Sequence, residues 1–409
     1  DDASFIMYPS GYKESKIYAQ KPVNGTGDLT FSRASSATRV NEQGLIETPS
    51  VISTTEEVTN GNFATDSDWT KETGWSIAGG NLIATSVSGT AAYQVGSGLV
   101  SGKKYQVQFE ITEYTTGAIG LRAGTGATLQ TFNSIGVHYA DMVASGALQI
   151  RFDVSGTTTL KVDNVSVKEL ITSNIPRIDY SNGCGSLLLE PQRTNLITQS
   201  EAFDNAYWTK GGASVTSGFT SPDGTANAFK LVEDTSAGNH KIFRAGTPVT
   251  SGVNNTHFFY AKSSGRNWMR LNNDNMANSS AFFDLNNGVV GSVGASVGAK
   301  IEPMANGWYK CSVSYLATTT NSYPTLYLAD DNNSNNYQGD GTSGVYIYGA
   351  QLEQSSYPTS YIISNSGTTT TRLADAASKT GLSSVINSTE GVLYAEIKGF
   401  ENDAISRAI

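Results

Sequence analysis

Strict alternation constrains this chain more than any other feature. "KKYQVQFEIT" (103–112) sets Tyr105, Val107, Phe109 and Ile111 on one face, the period of two that a strand with one buried face requires. "LQIRFDV" (148–154) and "TLKVDNVSV" (159–167) repeat the pattern, as do "THFFYAK", "WMRLN", "AFFDL", "GWYKCSVSYL", "PTLYLAD" and "GVYIYGAQLE" further on. Gly- and Asn-rich turns separate these runs, and no amphipathic pattern reaches three helical turns. The 42 glycines, 20 tyrosines and 15 phenylalanines suit aromatic strands joined by tight turns. The chain reads as all-β.

At 409 residues more than one core is expected, and a repeated phrase shows where two of them begin. "EEVTNGNFATDSDWTKETGWSI" (56–77) and "LITQSEAFDNAYWTKGGASVT" (196–216) each place a Phe ahead of Trp-Thr-Lys: Phe63 with Trp69, and Phe203 with Trp208. Roughly eight strand-like runs follow each phrase, the complement of a two-sheet jelly-roll sandwich. The repeat is thus a fold-sized module, and its opening Phe and Trp pin the first strand and loop to the core. The chain divides into an N-terminal framework or attachment segment (1–55), a first sandwich (56–170), a framework connector (171–193), a second sandwich (194–365) and a Thr-rich linker (366–409). The linker ends on the strand pattern "GVLYAEIKGF". One strand cannot bury its face alone, so a further domain is expected to begin there.

Several function classes are disfavoured. A net charge of −9 with no Lys/Arg run argues against a nucleic-acid partner. No apolar stretch reaches the length of a transmembrane helix, so no membrane insertion is expected, and residues 1–25 show no signal-peptide pattern. Cys184 and Cys311 are too few for a disulfide framework, and Cys311, alternating with apolar neighbours, reads as core. His138, His240 and His257 stand in no motif, and no nucleophile elbow, phosphate loop or metal-ligand histidine cluster is present.

"TFSRASSATRVNEQGLIE" with "PRIDYSNGCGSLLLEPQRTNLI" resembles a framework found in tail and tail-fibre proteins of bacteriophages and prophages. "AFFDLNNGVVGSVG", "NGWYKCSV", "LYLADDNNSNNYQGDGTSGVYIYGAQLEQSSYPTSYI" and "TTTTRLAD" extend that resemblance over nearly the whole chain. It implies a virion context, a jelly-roll lectin-like module, other tail proteins as partners and a homotrimer. "VTNGNFATDSDWT" and "VDNVSV" make the first module resemble the carbohydrate-binding sandwiches appended to xylanases, inserted here into the framework. "EGVLYAEIKGF" looks like the first strand of a concanavalin-like domain.

Aromatic plates beside a few polar groups suit sugars, which present C–H faces and hydroxyl edges. In the first module Trp75 and Tyr114, the latter in a loop "EYTTG", are candidate contacts with Arg122, weighed against plain surface packing. In the second, Arg266, Trp268 and Arg270 alternate in "SSGRNWMRLNND" and could share one face suited to an acidic polysaccharide, with Arg244 and His240 beside it. The competing reading puts Trp268 in the core. The xylanase-module resemblance further implies a structural calcium held by Asn60, Asn62 and Asp163, with Gly349 at the matching place of the second module. The loop "ADDNNSNNYQGDG" offers Asp330, Asp331, Asn333 and Asp340, which turn chemistry explains. The expected function is non-catalytic adhesion to host cell-surface glycans on a phage tail; the alternatives are structural decoration of the virion and a polysaccharide depolymerase.

Overall fold

The computed structural model describes residues 3–399 except 9, 10, 97, 127, 128, 296, 388 and 393. Among them the regular structure is β throughout, apart from one short 3-10 turn at Ala305–Gly307. The chain forms two compact units: residues 50–172, and residues 1–49 together with 173–409.

In the 50–172 unit two long strands, Lys104–Ala123 and Gln149–Ile171, pair antiparallel along most of their length. Register shifts at Gln108/Glu110, Ile111/Glu113, Tyr114/Thr116 and Thr116/Ala118 bend the ladder without ending it. "LQIRFDV" and "TLKVDNVSV" are therefore one strand rather than two, and "EYTTG" is strand rather than loop. Gly136–Val143 and Gln130–Phe132 flank the first long strand, while Asn81–Val87 and Ala91–Val95 flank the second. The ladder closes over one core. Tyr105, Val107, Phe109 and Ile111 are fully buried there with Phe152, Val162 and Val167, each such side chain contributing about 1.5–3 kcal/mol by its burial.

In the other unit two six-stranded antiparallel sheets face each other. One runs Thr209–Gly211, Lys241–Phe243, Pro324–Ala329, Trp268–Asn273, Ala281–Asp284, Val289–Val293, and we call it the front sheet. The back sheet runs Ala213–Phe219, Ala228–Glu233, Gly344–Glu353, Asn254–Ser264, Tyr309–Leu316, Gly298–Pro303. Phe259, Met269, Leu271, Phe283, Cys311, Leu328 and Ile347 fill the space between them.

The twin phrases do the same work in both sandwiches. Phe63 and Trp69 pack in a tilted pair with centroids 5.3 Å apart, and so do Phe203 and Trp208. Trp69 Nε1 donates to the Asn60 carbonyl and Trp208 Nε1 to the Gln199 carbonyl, nine residues upstream in each case. All four rings are buried.

The segments read as framework, connector and linker join one another. Leu29–Ser32 pairs with Ala376–Ser378, and Arg193–Asn195 pairs with Thr370–Arg372. Where they meet, Arg33 binds Asp375 at 2.6 Å, Arg177 binds Glu190 at 2.7 Å and Asp375, and Arg372 binds Glu190 at 2.9 Å, all at most 1% exposed. Burial raises the Glu190 carboxyl, but Arg177, Arg372 and Ser360 outweigh it and bring it down to about 2. Charges so deep persist only when paired and hydrogen-bonded. Ile46 and Tyr361 then pack with Tyr260, Trp308 and Tyr348 on the outer face of the back sheet.

"GVLYAEIKGF" does not form the expected strand in its described residues. Val392, Tyr394 and Ile397 lie exposed.

Candidate functional site

The alternation in "SSGRNWMRLNND" holds. Met269 and Leu271 point into the core at 0% exposure, and Trp268 and Arg270 point outward from the front sheet. Trp69, Trp75, Trp208 and Trp308 are all 6% exposed or less, so Trp268, half-buried, is the one tryptophan of the five outside a core.

Trp268 lines a cleft of about 320 Å³ with Arg266, Asn267, Asp284, Asn286, Asn287 and Asp330. The cleft follows from local chemistry. Asp284 ends its strand and caps the turn "DLNNG", its Oδ1 accepting from the Asn286 and Asn287 N–H groups at 2.9 and 3.1 Å and its Oδ2 from Asn287 Nδ2 at 2.7 Å. Gly291 lies under the indole, where a Cβ would come within 2.6 Å of Trp268 Cζ3; only glycine lets the strand pass that close. Asn332 Oδ1 accepts from the Ser292 N–H at 2.8 Å and ties the 330–336 loop to the same edge.

Arg266 is turned inward instead of presenting its charge to a ligand. It grips the buried Glu233 through two nitrogens at 2.8 and 2.5 Å and stacks over Tyr337 at 4.7 Å. Tyr337 donates its hydroxyl to Glu233 at 2.7 Å, and the Asp340 N–H adds another bond at 2.8 Å. Burial raises the Glu233 carboxyl; the Arg266 bonds and these two donors outweigh it and hold it below the usual carboxylate range. Arg270 lies over Phe282 and Tyr327 and bonds Asn335 and Ser280. It does not line the cleft. Arg244 stacks on Tyr207 at 4.4 Å, and His240 is fully buried with Nδ1 donating to the Gly212 carbonyl at 2.6 Å. Neither belongs to the cleft, because a tyrosine face and a core position already hold them.

In the 50–172 unit the candidates do not converge. Trp75 is 6% exposed and part of the core, so its ring offers no face to a ligand. Tyr114 packs on that core from within a long strand and donates its hydroxyl to the Gly117 carbonyl at 2.9 Å. Arg122 shares Asp153 with Arg151 at 2.7 Å each. The aromatic that does face solvent is Tyr139, 59% exposed on Gly136–Val143; alternation fixes which side of a strand a residue takes, and not which side is covered.

The calcium donors do not fit a cation. Asn60 donates its amide NH₂ to the Thr65 and Ser67 carbonyls at 2.7 and 3.0 Å, filling with N–H the place a metal would need oxygen lone pairs. Asn62 Oδ1 lies 3.4 Å from the Ala64 N–H, and Asp163 accepts from its neighbour Asn164 at 2.7 Å. No group of three or more His, Cys, Asp or Glu among the described residues is placed to hold a metal.

No protein-family model matches the chain, and no curated protein sequence does. Among solved structures it is similar to the N-terminal CBM22-1–CBM22-2 tandem domain of Xyn10C from Paenibacillus barcinonensis, at 11% identity and a TM-score of 0.26, over 70% of this chain and 93% of that one. The sandwich assignment here rests on the strand pairing described above.

Proposed function

We propose that this protein binds glycans without transforming them, through the Trp268 cleft, as an adhesive component of a bacteriophage tail. One observation carries the binding reading: the one tryptophan left outside a core opens onto a cleft edged by amides, a carboxylate and a turn-bound aspartate. Such a mixture of one flat apolar plate and a few fixed polar groups matches a sugar ring, and the volume lies at the lower end of small-ligand sites. Glycoside hydrolysis needs two carboxyl groups flanking the scissile bond, one of them protonated to act as the acid. Asp284 accepts three hydrogen bonds from its own turn, a structural duty that supports reading the cleft as a binding site.

The tail setting is supported by the framework resemblance, five of whose charged residues, Arg33, Arg177, Glu190, Arg372 and Asp375, form the buried ionic cluster. On this reading the ligand is a host-surface polysaccharide, the other partners are tail proteins of the virion, and a homotrimer multiplies weak contacts by avidity. Trp268→Ala should weaken binding to host polysaccharide roughly tenfold or more while the variant still unfolds in a cooperative transition. Equal binding by the variant removes the cleft from the mechanism. Sedimentation equilibrium showing a single-chain mass removes the trimer.

A further inference from the structure

The charges around the cleft point to the kind of sugar it takes, an inference that rests on the binding reading above. Among the described residues Arg266 is the one cation that lines it, and two bonds to Glu233 neutralise that guanidinium, with Asp340 a further 3.8 Å away. Asp284 brings a negative charge that no cation in its turn offsets; its donors are two backbone N–H groups and the Asn287 amide. Asp330 lines the opposite edge, exposed, its backbone N–H bonded to the Ser334 carbonyl. An anionic sugar entering here meets two carboxylates and a guanidinium already spent.

We propose that the Trp268 cleft excludes uronate and sulfated sugars and favours a sugar with a protonated amine, which stacks its ring on Trp268 and sets its ammonium against Asp330. A neutral sugar keeps the stacking and forgoes the ion pair. The preference for the amine over its N-acetyl counterpart is expected to be about fivefold, the size of one solvent-accessible ion pair, and to shrink with added salt.

A glycan array carrying free-amine, N-acetylated, neutral and uronate oligomers, probed with wild type, Asp330→Asn and Trp268→Ala, tests this. The expected result is Trp268-dependent signal on the amine and neutral sugars, none on uronates, and an amine-over-neutral preference that Asp330→Asn erases. Trp268-dependent uronate binding equal to that of the amine overturns the charge selection alone, as does an amine preference that survives in Asp330→Asn. No Trp268-dependent signal on any class overturns the underlying binding reading, and this inference with it.

Discussion

The two sandwiches share a pin and differ in what lies over them. In each, a Phe–Trp pair with the same centroid separation anchors the first loop, and the indole donates to a carbonyl nine residues upstream. In each, a left-handed residue marks a bulge in the last long strand: Asn164 at φ 54° in one and Gly349 at φ 56° in the other. Around that bulge they diverge. At Gly349 a Cβ would come within 2.9 Å of Tyr260 and 3.1 Å of Tyr361, two of the rings clustered on the outer face of the back sheet. Asn164 is exposed and donates its amide to Glu110 at 2.9 Å. The same fold is thus roofed on one face in the second sandwich and leaves Val137, Tyr139 and Val143 half or more exposed in the first. Site location follows from covering: the second sandwich presents its front sheet, and the sole uncommitted tryptophan is there.

The sharpest way to break this comparison is to remove one member of the buried ionic cluster. Arg177→Met should destabilise the framework and second sandwich by about 3–5 kcal/mol, since Glu190 and Asp375 lose their partner in a dry site. The 50–172 unit should melt unchanged in the same calorimetric scan; a common shift of both transitions would mean they do not unfold independently.

Acid should separate the two next. Glu190, down to about 2 in the fold against an ordinary 4.5, stabilises fully above pH 4.5 and loses that contribution, on the order of 3 kcal/mol, as pH falls through 2. His257 is fully buried with neither ring nitrogen hydrogen-bonded among the described residues, and burial lowers it to about 3. Because only the unfolded chain takes up that proton below pH 6.5, stability should already decline from there downward. Circular-dichroism melts of His257→Leu should lose the slope between pH 6.5 and 4.5 and keep the steeper loss below it.

A finer comparison concerns the pins. Phe63→Leu should cost about 1–1.5 kcal/mol, the loss of its pair with Trp69, and Phe203→Leu should cost more, because that ring also packs on Phe229 and Phe259. Chemical denaturation showing equal costs would mean that the two extra rings around Phe203 add nothing to its pin. The smallest effect belongs to Asn60. Asn60→Asp turns an amide donor into an anion facing the Thr65 and Ser67 carbonyls, and should cost about 1 kcal/mol that calcium restores, whereas neither calcium nor a chelator should move the wild-type melting of residues 50–172.

Period-two alternation made the strands and the inward set legible, down to Met269 and Leu271 opposing Trp268. It could not show that "EYTTG" continues a strand, because a bulge keeps the ladder while breaking the pattern. The cleft was partly hidden for a related reason: Asp284, Asn286 and Asn287 belong to a turn whose spacing looks purely structural, and only folding sets it beside Trp268. Arg266 misled most, since a sequence gives a guanidinium's position and not the buried Glu233 that claims it. The framework charges, quoted for their resemblance, gave no hint that residues 33 and 375 touch.

That last contact sets an order of events during synthesis. Residues 50–172 hold every strand of their own core and can fold as they leave the ribosome, long before the rest exists. Arg33 and Arg177 must wait, solvated, for Asp375 to be translated before their pocket can close. Premature termination anywhere after residue 172 and before Asp375 would therefore release a chain whose residues 50–172 are complete while Arg33 lacks the acid that lets it be buried.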